Sequence, residues 1–293
     1  MMLKLSNTNL LYFKYILQIT RKLAGQGAGT ASWATNVGNE LGQVLMSVMT
    51  AAEGMGLDAM TKGIVRRYQA AGKPAPELLY VDRDCCGANS RIFKEWPDMP
   101  VRLDIWHFMR RLARGCTTDM HPLYSVFMKE LTKNIFVWDT EDLDRLVRAK
   151  RAEMAEKHMT CPPDDDIVKR IGRKEMARHC KRRTRGTEET TRLLGDLIAS
   201  MDGEAGKDSL GVPLFDSDKI WSIWDSQQKH VACLQDVPGV QLYVQTGESV
   251  KGGITLPIYR CARGSTSLES FHLHLNRFIP GENISVINFV KYV

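Results

Sequence analysis

The sequence predicts an α/β fold: five strands flanked by helices, with a long, mainly helical insertion. Three observations predict it. Short apolar runs end in carboxylates at Leu78 to Asp82 and Val101 to Asp104. The stretch before them alternates strand-like runs with glycine turns, and helical periodicity takes over after residue 115.

Leu11 to Ile19, Ala31 to Val37 and Gly42 to Thr50 read as three strands of an antiparallel meander. Gly25-Gln26-Gly27-Ala28-Gly29 and Gly38-Asn39-Glu40 supply the turns. Leu57 to Ala71 has helical spacing at Met60, Ile64, Val65 and Tyr68, and Gly72 and Pro74 close it. The strand at 78–82 and a short helix near Ser90 to Trp96 follow. The strand at 101–104 then runs into a helix through Arg114, stopped by Gly115. Residues 10–115 therefore form the first part of a core.

Residues 116–255 read as a helical insertion. Asp142 to His158 is a charged helix with Leu143, Leu146, Val147 and Met154 on its apolar face. Cys161-Pro162-Pro163 breaks it, and Asp164 to Asp166 lend N-terminal charge to a basic helix running to residue 185. Further helices cover Glu188 to Met201 and Lys219 to Cys233, where Ile220, Trp221 and Trp224 form a bulky face. Residues 256–281 bring back a last strand near Leu256 to Arg260 and a helix from Thr266 to Phe278, ended by Pro280-Gly281. Residues 1–9 and 282–293 are atypical of this pattern and read as truncated ends.

Hydrophobic content of 43% and charged content of 25% exclude a disordered chain. No apolar run approaches the roughly 20 residues that span a bilayer, so no membrane partner is expected. The seven cysteines lack regular spacing, which favours reduced thiols in an intracellular compartment. Adjacent Cys85-Cys86 suits neither a usual disulfide nor a CxxC knuckle, so spacing speaks against structural zinc. Charge is uneven. Lys169, Arg170, Arg173, Lys174, Arg178, Lys181, Arg182, Arg183 and Arg185 stand against the single acid Glu175 between Ile167 and Gly186. That is a local charge of +8 within a chain of +6, and Arg178, Arg182 and Arg185 would share one helix face. Such a stripe suits phosphate contacts; a solvated charged face is the plainer alternative.

The carboxylates suggest chemistry. Two-metal displacement at phosphate needs several acids converging on oxygen-loving cations, and open α/β sheets present ligand sites at strand C-termini. Asp82 fits that requirement, or is a turn aspartate. Asp104 and His107 share a helix face at i and i+3, or serve as an N-cap and a core histidine. Glu269 fits as well, or completes a capping box with Thr266.

A strand ending in Asp82 is followed by a second ending in Asp104-Ile105-Trp106-His107. A helical insertion comes next, then a helix opened by Arg263-Gly264-Ser265-Thr266-Ser267-Leu268-Glu269. In that order the set resembles the catalytic domain of DDE-type DNA transposases of the Mutator and hAT kind, or their transposon-derived relatives, over residues 18 to 281. The resemblance implies an RNase H-like mixed five-stranded sheet and Mg²⁺ or Mn²⁺ held by Asp82 and Glu269, with Asp104 and His107 as the accessory catalytic pair. It implies DNA as partner, a homo-oligomer and a nuclear or intracellular location. One departure bears on activity: the family's first catalytic Asp belongs on the opening strand, near residues 11 to 20. No Asp or Glu precedes Glu40, and the nearest positions are Lys14, Gln18 and Thr20. The expectation is a transposase-derived protein that has lost metal-dependent cleavage and strand transfer but retains DNA binding. The alternatives are a host-adopted scaffold or protein-interaction domain, and a non-functional gene fragment.

Overall fold

The computed structural model describes residues 10–16, 33–50, 56–87, 92–158 and 163–264, together with Leu268, Phe271 and His274. It divides into two units, 1–111 with 232–240 and 264–293, and 112–231 with 241–263.

The first unit carries a mixed five-stranded sheet. Its strands are β1 (Leu10–Ile16), β2 (Trp33–Asn39), β3 (Val44–Thr50), β4 (Leu78–Val81) and β5 (Val101–Leu103), in the order β3-β2-β1-β4-β5. β1 to β3 form the expected antiparallel meander, while β4 lies parallel to both β1 and β5. All four residues of β4 are buried, the continuous apolar pattern expected where a parallel strand is covered on both faces. Tyr12 and Tyr80, partners in the β1–β4 register, stack at 5.8 Å between ring centroids. Helix α1 (Asp58–Ala70) buries Met60, Thr61, Ile64, Val65 and Tyr68 along one side.

The glycine-rich turn expected at 25–29 lies outside the described residues. One expectation needs correction. No helix forms across the described part of the Ser90 to Trp96 segment, where Phe93 and Trp96 instead stack at 5.0 Å on successive turns. Pro97 and Pro100 explain this, since each removes an N–H and biases its predecessor away from helical geometry. β5 then leads into helix α2 (Ile105–Ala113).

The second unit contains α3 (Tyr124–Ile135), β6 (Phe136–Trp138), α4 (Thr140–Glu156), α5 (Asp164–Arg170), α6 (Arg173–His179), β7 (Arg182–Thr184), α7 (Thr187–Met201), α8 (Ser217–Gln227), β8 (Tyr243–Lys251) and β9 (Ile254–Cys261). Leu146, Val147, Ala149, Ile167, Ile171, Met176, Cys180 and Leu256 form a continuous core cluster. The strand expected near Leu256 to Arg260 exists, but it pairs with β8 in a hairpin rather than joining the five-stranded sheet. Gly252 makes that hairpin possible: at φ 50° it permits the turn, and a Cβ there would lie 2.5 Å from Ala152.

The basic segment is not one helix. α5 ends at Arg170, Ile171 turns extended (φ −74°, ψ 122°), and α6 begins after Gly172. Both Ile171 and Cys180 dive into the core cluster, which bends the chain at each, and residues 182–184 pair with β6. Arg178, Arg182 and Arg185 therefore do not line one helix face.

Candidate functional site

Parallel pairing of β4 and β5 matches Val81 with Leu103, so Asp82 and Asp104 leave adjacent strand ends about 4.8 Å apart in backbone spacing. The Asp104 amide donates to the Val81 carbonyl at 2.8 Å. The Asp104 side chain is buried, and its Oδ1 accepts from the His107 amide at 3.1 Å and lies 3.2 Å from His107 Nδ1. It thus caps α2 and orients the imidazole at once, as the i, i+3 spacing required. Gly264 approaches the other oxygen, since a Cβ built there would sit 3.1 Å from Asp104 Oδ2. Asp82 Oδ1 is shielded from solvent, and Arg111 donates to the Asp82 carbonyl at 2.6 Å. Asp84, in left-handed geometry at φ 53°, pairs with Arg83 at 2.9 Å.

Glu269 lies outside the described residues. Its neighbour Leu268 is helical and fully buried, and a Cβ at Gly38 would meet Leu268 Cδ2 at 2.8 Å. Helical Leu268 therefore packs against β2 of the sheet. On β1, Lys14 is one step beyond the Phe13–Val81 pair, the strand position alongside Asp82. Glu40 is at the opposite end: its Oε2 accepts from the Leu10 amide at 3.2 Å, four residues before Lys14 and roughly 13 Å away along the strand. Trp106 on α2 is half exposed, with the Arg110 guanidinium 5.3 Å over its ring and the His107 ring 4.9 Å from it. Sequence reading passed over Trp106 as part of the Asp-x-x-His spacing. Its place on the polar side of α2 was the available signal.

The nine basic residues of the second unit fall into two groups. Lys169, Arg170, Arg173, Lys174, Arg178 and Arg183 are exposed. Lys181, Arg182 and Arg185 are committed to structure. Lys181 faces Asp142 at 3.7 Å, and although burial opposes it, Asp142 and Tyr259 raise its pKa. Arg182 stacks over Phe136 at 3.9 Å and Trp138 at 5.9 Å. Arg185 pairs with Glu189 at 3.1 Å and donates to the Lys133 carbonyl. Trp224 is buried, and the half-buried Trp221 donates to Asp202 at 2.8 Å.

A third constellation was discounted from spacing alone. Cys85, Cys86, His230 and Cys233 bring one ligand atom each to within 4.8 Å of one another. His230 and Cys233 lie one turn apart on the 3-10 segment Gln228–Leu234. Hydrogen bonding of the protonated Cys85 thiol to Cys233, then burial, then the neighbouring thiols push the Cys85 pKa far above its ordinary value.

Among the described residues, no helix is long and apolar enough to cross a membrane. Comparison with known proteins finds no protein-family profile that matches this chain and no curated protein that matches it.

Proposed function

We propose that this chain is a transposon-derived, RNase H-like core of the DDE-transposase kind that no longer cuts DNA but still binds it. The observation that carries the reading is the strand order β3-β2-β1-β4-β5 with Asp82 and Asp104 at adjacent strand ends. An antiparallel meander followed by two strands parallel to its first member is the topology the resemblance requires. Helical Leu268, packed on β2, supports it further.

Among the described residues, the donor set falls short of a two-metal centre. Mg²⁺ and Mn²⁺ need oxygen ligands, and a lysine ammonium offers donors only. Lys14 occupies the register position beside Asp82. Glu40 is tied to the other end of β1, and one Asp104 oxygen is given to His107 and the helix cap. No catalytic step is assigned to a metal here.

Binding is assigned to the exposed cations of α5, α6 and β7, whose contacts would be to phosphate and independent of sequence. The test is duplex-DNA anisotropy of the full chain against an Arg170/Arg173/Lys174/Arg178→Ala variant, with cleavage of supercoiled DNA scored in Mg²⁺ and in Mn²⁺. The reading expects affinity lost in the variant and no cleavage with either ion. Equal binding by both proteins would move the DNA contact away from these cations, and absence of binding by the full chain would remove DNA and leave an interaction scaffold.

A further inference from the structure

The geometry points to a zinc site formed by Cys85, Cys86, His230 and Cys233, a structural staple that fixes the loop after β4 and with it Asp82. Four observations carry it. The four ligand atoms already lie within 4.8 Å of one another. In a tetrahedral site with Zn–S near 2.3 Å, sulfur atoms are about 3.7 Å apart, so closing on an ion needs shifts of only about 1 Å. Three thiols and one imidazole form a soft donor set of a kind found in structural zinc sites, and unlike the oxygen cage that Mg²⁺ or Ca²⁺ demands.

The backbone is shaped for convergence. Successive side chains on extended chain point to opposite sides, so adjacent cysteines ordinarily diverge. Here left-handed residues bracket the pair, Asp84 at φ 53° and Gly87 at φ 80°, and the sulfurs of Cys85, Cys86 and Cys233 lie within 4.8 Å of one another. The second ligand segment is also anchored: Arg102 on β5 donates to the Gln235 carbonyl at 2.7 Å, two residues beyond Cys233. Finally, burial is graded, with Cys85 and Cys233 buried, His230 intermediate and Cys86 exposed. That leaves an entry path on one side and a dry wall on the other.

An ion here would join two segments far apart in sequence, so its binding free energy would add to folding free energy. Cys85 follows Asp82 by three residues, which makes the staple a support for the strand-end carboxylate rather than a catalytic centre. Deprotonated thiolates are the binding form, so loading releases protons and weakens at acid pH.

The test uses the full chain purified without chelator. One zinc per chain is expected by elemental analysis. Metal-stripped protein titrated with Co²⁺ should develop thiolate-to-cobalt charge-transfer bands and tetrahedral d–d bands, with a rise in Tm on loading. Cys85→Ser and Cys233→Ser should lose stoichiometric metal, and His230→Ala should retain it with weaker affinity. If the serine variants do not fold, the Co²⁺ titration of the wild-type chain still decides the matter. Absence of zinc together with absence of cobalt–thiolate bands would overturn the proposal. So would mass spectra showing Cys233 in a disulfide with Cys85 or Cys86 in the freshly purified protein. Neither result bears on DNA binding, so this site and the nucleic-acid reading stand or fall separately.

Discussion

Asp104 in the first unit and Asp142 in the second are both almost completely buried carboxylates, at 4% and 3% exposure, yet they do different things. Asp142 is a hub. Its Oδ2 accepts from the Lys181 amide at 3.0 Å, its Oδ1 from the Tyr259 hydroxyl at 3.3 Å, and Arg145 lies 3.8 Å from Oδ1. Those partners come from α4, from the start of the β7 segment and from β9. Asp104 spends one oxygen on its own helix, and its other faces a glycine that any side chain would crowd. Burial alone does not distinguish the two: the Asp142 contacts tie three elements together, while Asp104 Oδ1 caps a helix and orients His107.

The largest effect expected from that contrast is at Asp142. Asp142→Ala leaves a part-buried amide and a half-buried tyrosine hydroxyl without their acceptor and should cost about 1–3 kcal/mol in denaturant unfolding. A loss below about 1 kcal/mol would dissolve the comparison.

Alkaline titration probes the core around the same hub. Burial first, then Asp142 and Asp139, raise the Cys180 thiol from 9.0 to about 12, and burial raises Cys116 to about 11. A folded-state pKa above the unfolded one favours the folded form while the thiol keeps its proton. That stability is full below pH 9 and is lost between about pH 9 and 12. Thermal melts over that range should fall, and Cys180→Ala should flatten the fall.

Smaller effects belong to the strand-end pair. Gly264→Ala forces a side chain into φ 84° and against Asp104 Oδ2, costing about 1–2 kcal/mol. Asp104→Asn keeps an N-cap acceptor for the His107 amide and should cost less than about 1 kcal/mol by the same measurement. A loss as large as that at Asp142 would make Asp104 a structural hub as well.

The sheet was legible because its signals are local. The apolar runs at 78–81 and 101–103 depend on neighbours in sequence, and their strands fall within a residue of the expected places; the turn expected at Gly38-Asn39-Glu40 falls later, with Gly38 and Asn39 still in β2. The Asp104–His107 contact followed from i, i+3 spacing alone. What misled was long-range. The bend at Ile171 and Gly172 answers to a core cluster that includes Leu256, and the β9 strand answers to β8. Nothing in the sequence neighbourhood of Arg182 announces its stacking over Phe136 and Trp138. The thiol cluster was invisible for the same reason: Cys85-Cys86 lacks knuckle spacing, and only folding brings it to His230 and Cys233.

The central claim, a core that holds DNA by charge without the metal chemistry, is tested most directly by a salt titration of duplex binding. The full chain should lose roughly 10²-fold in affinity between about 50 and 200 mM salt if about four phosphates are contacted. The curve should be the same with chelator as with Mg²⁺, and the DNA should stay intact. Salt-insensitive binding, or cleavage that appears with the divalent ion, would contradict the account.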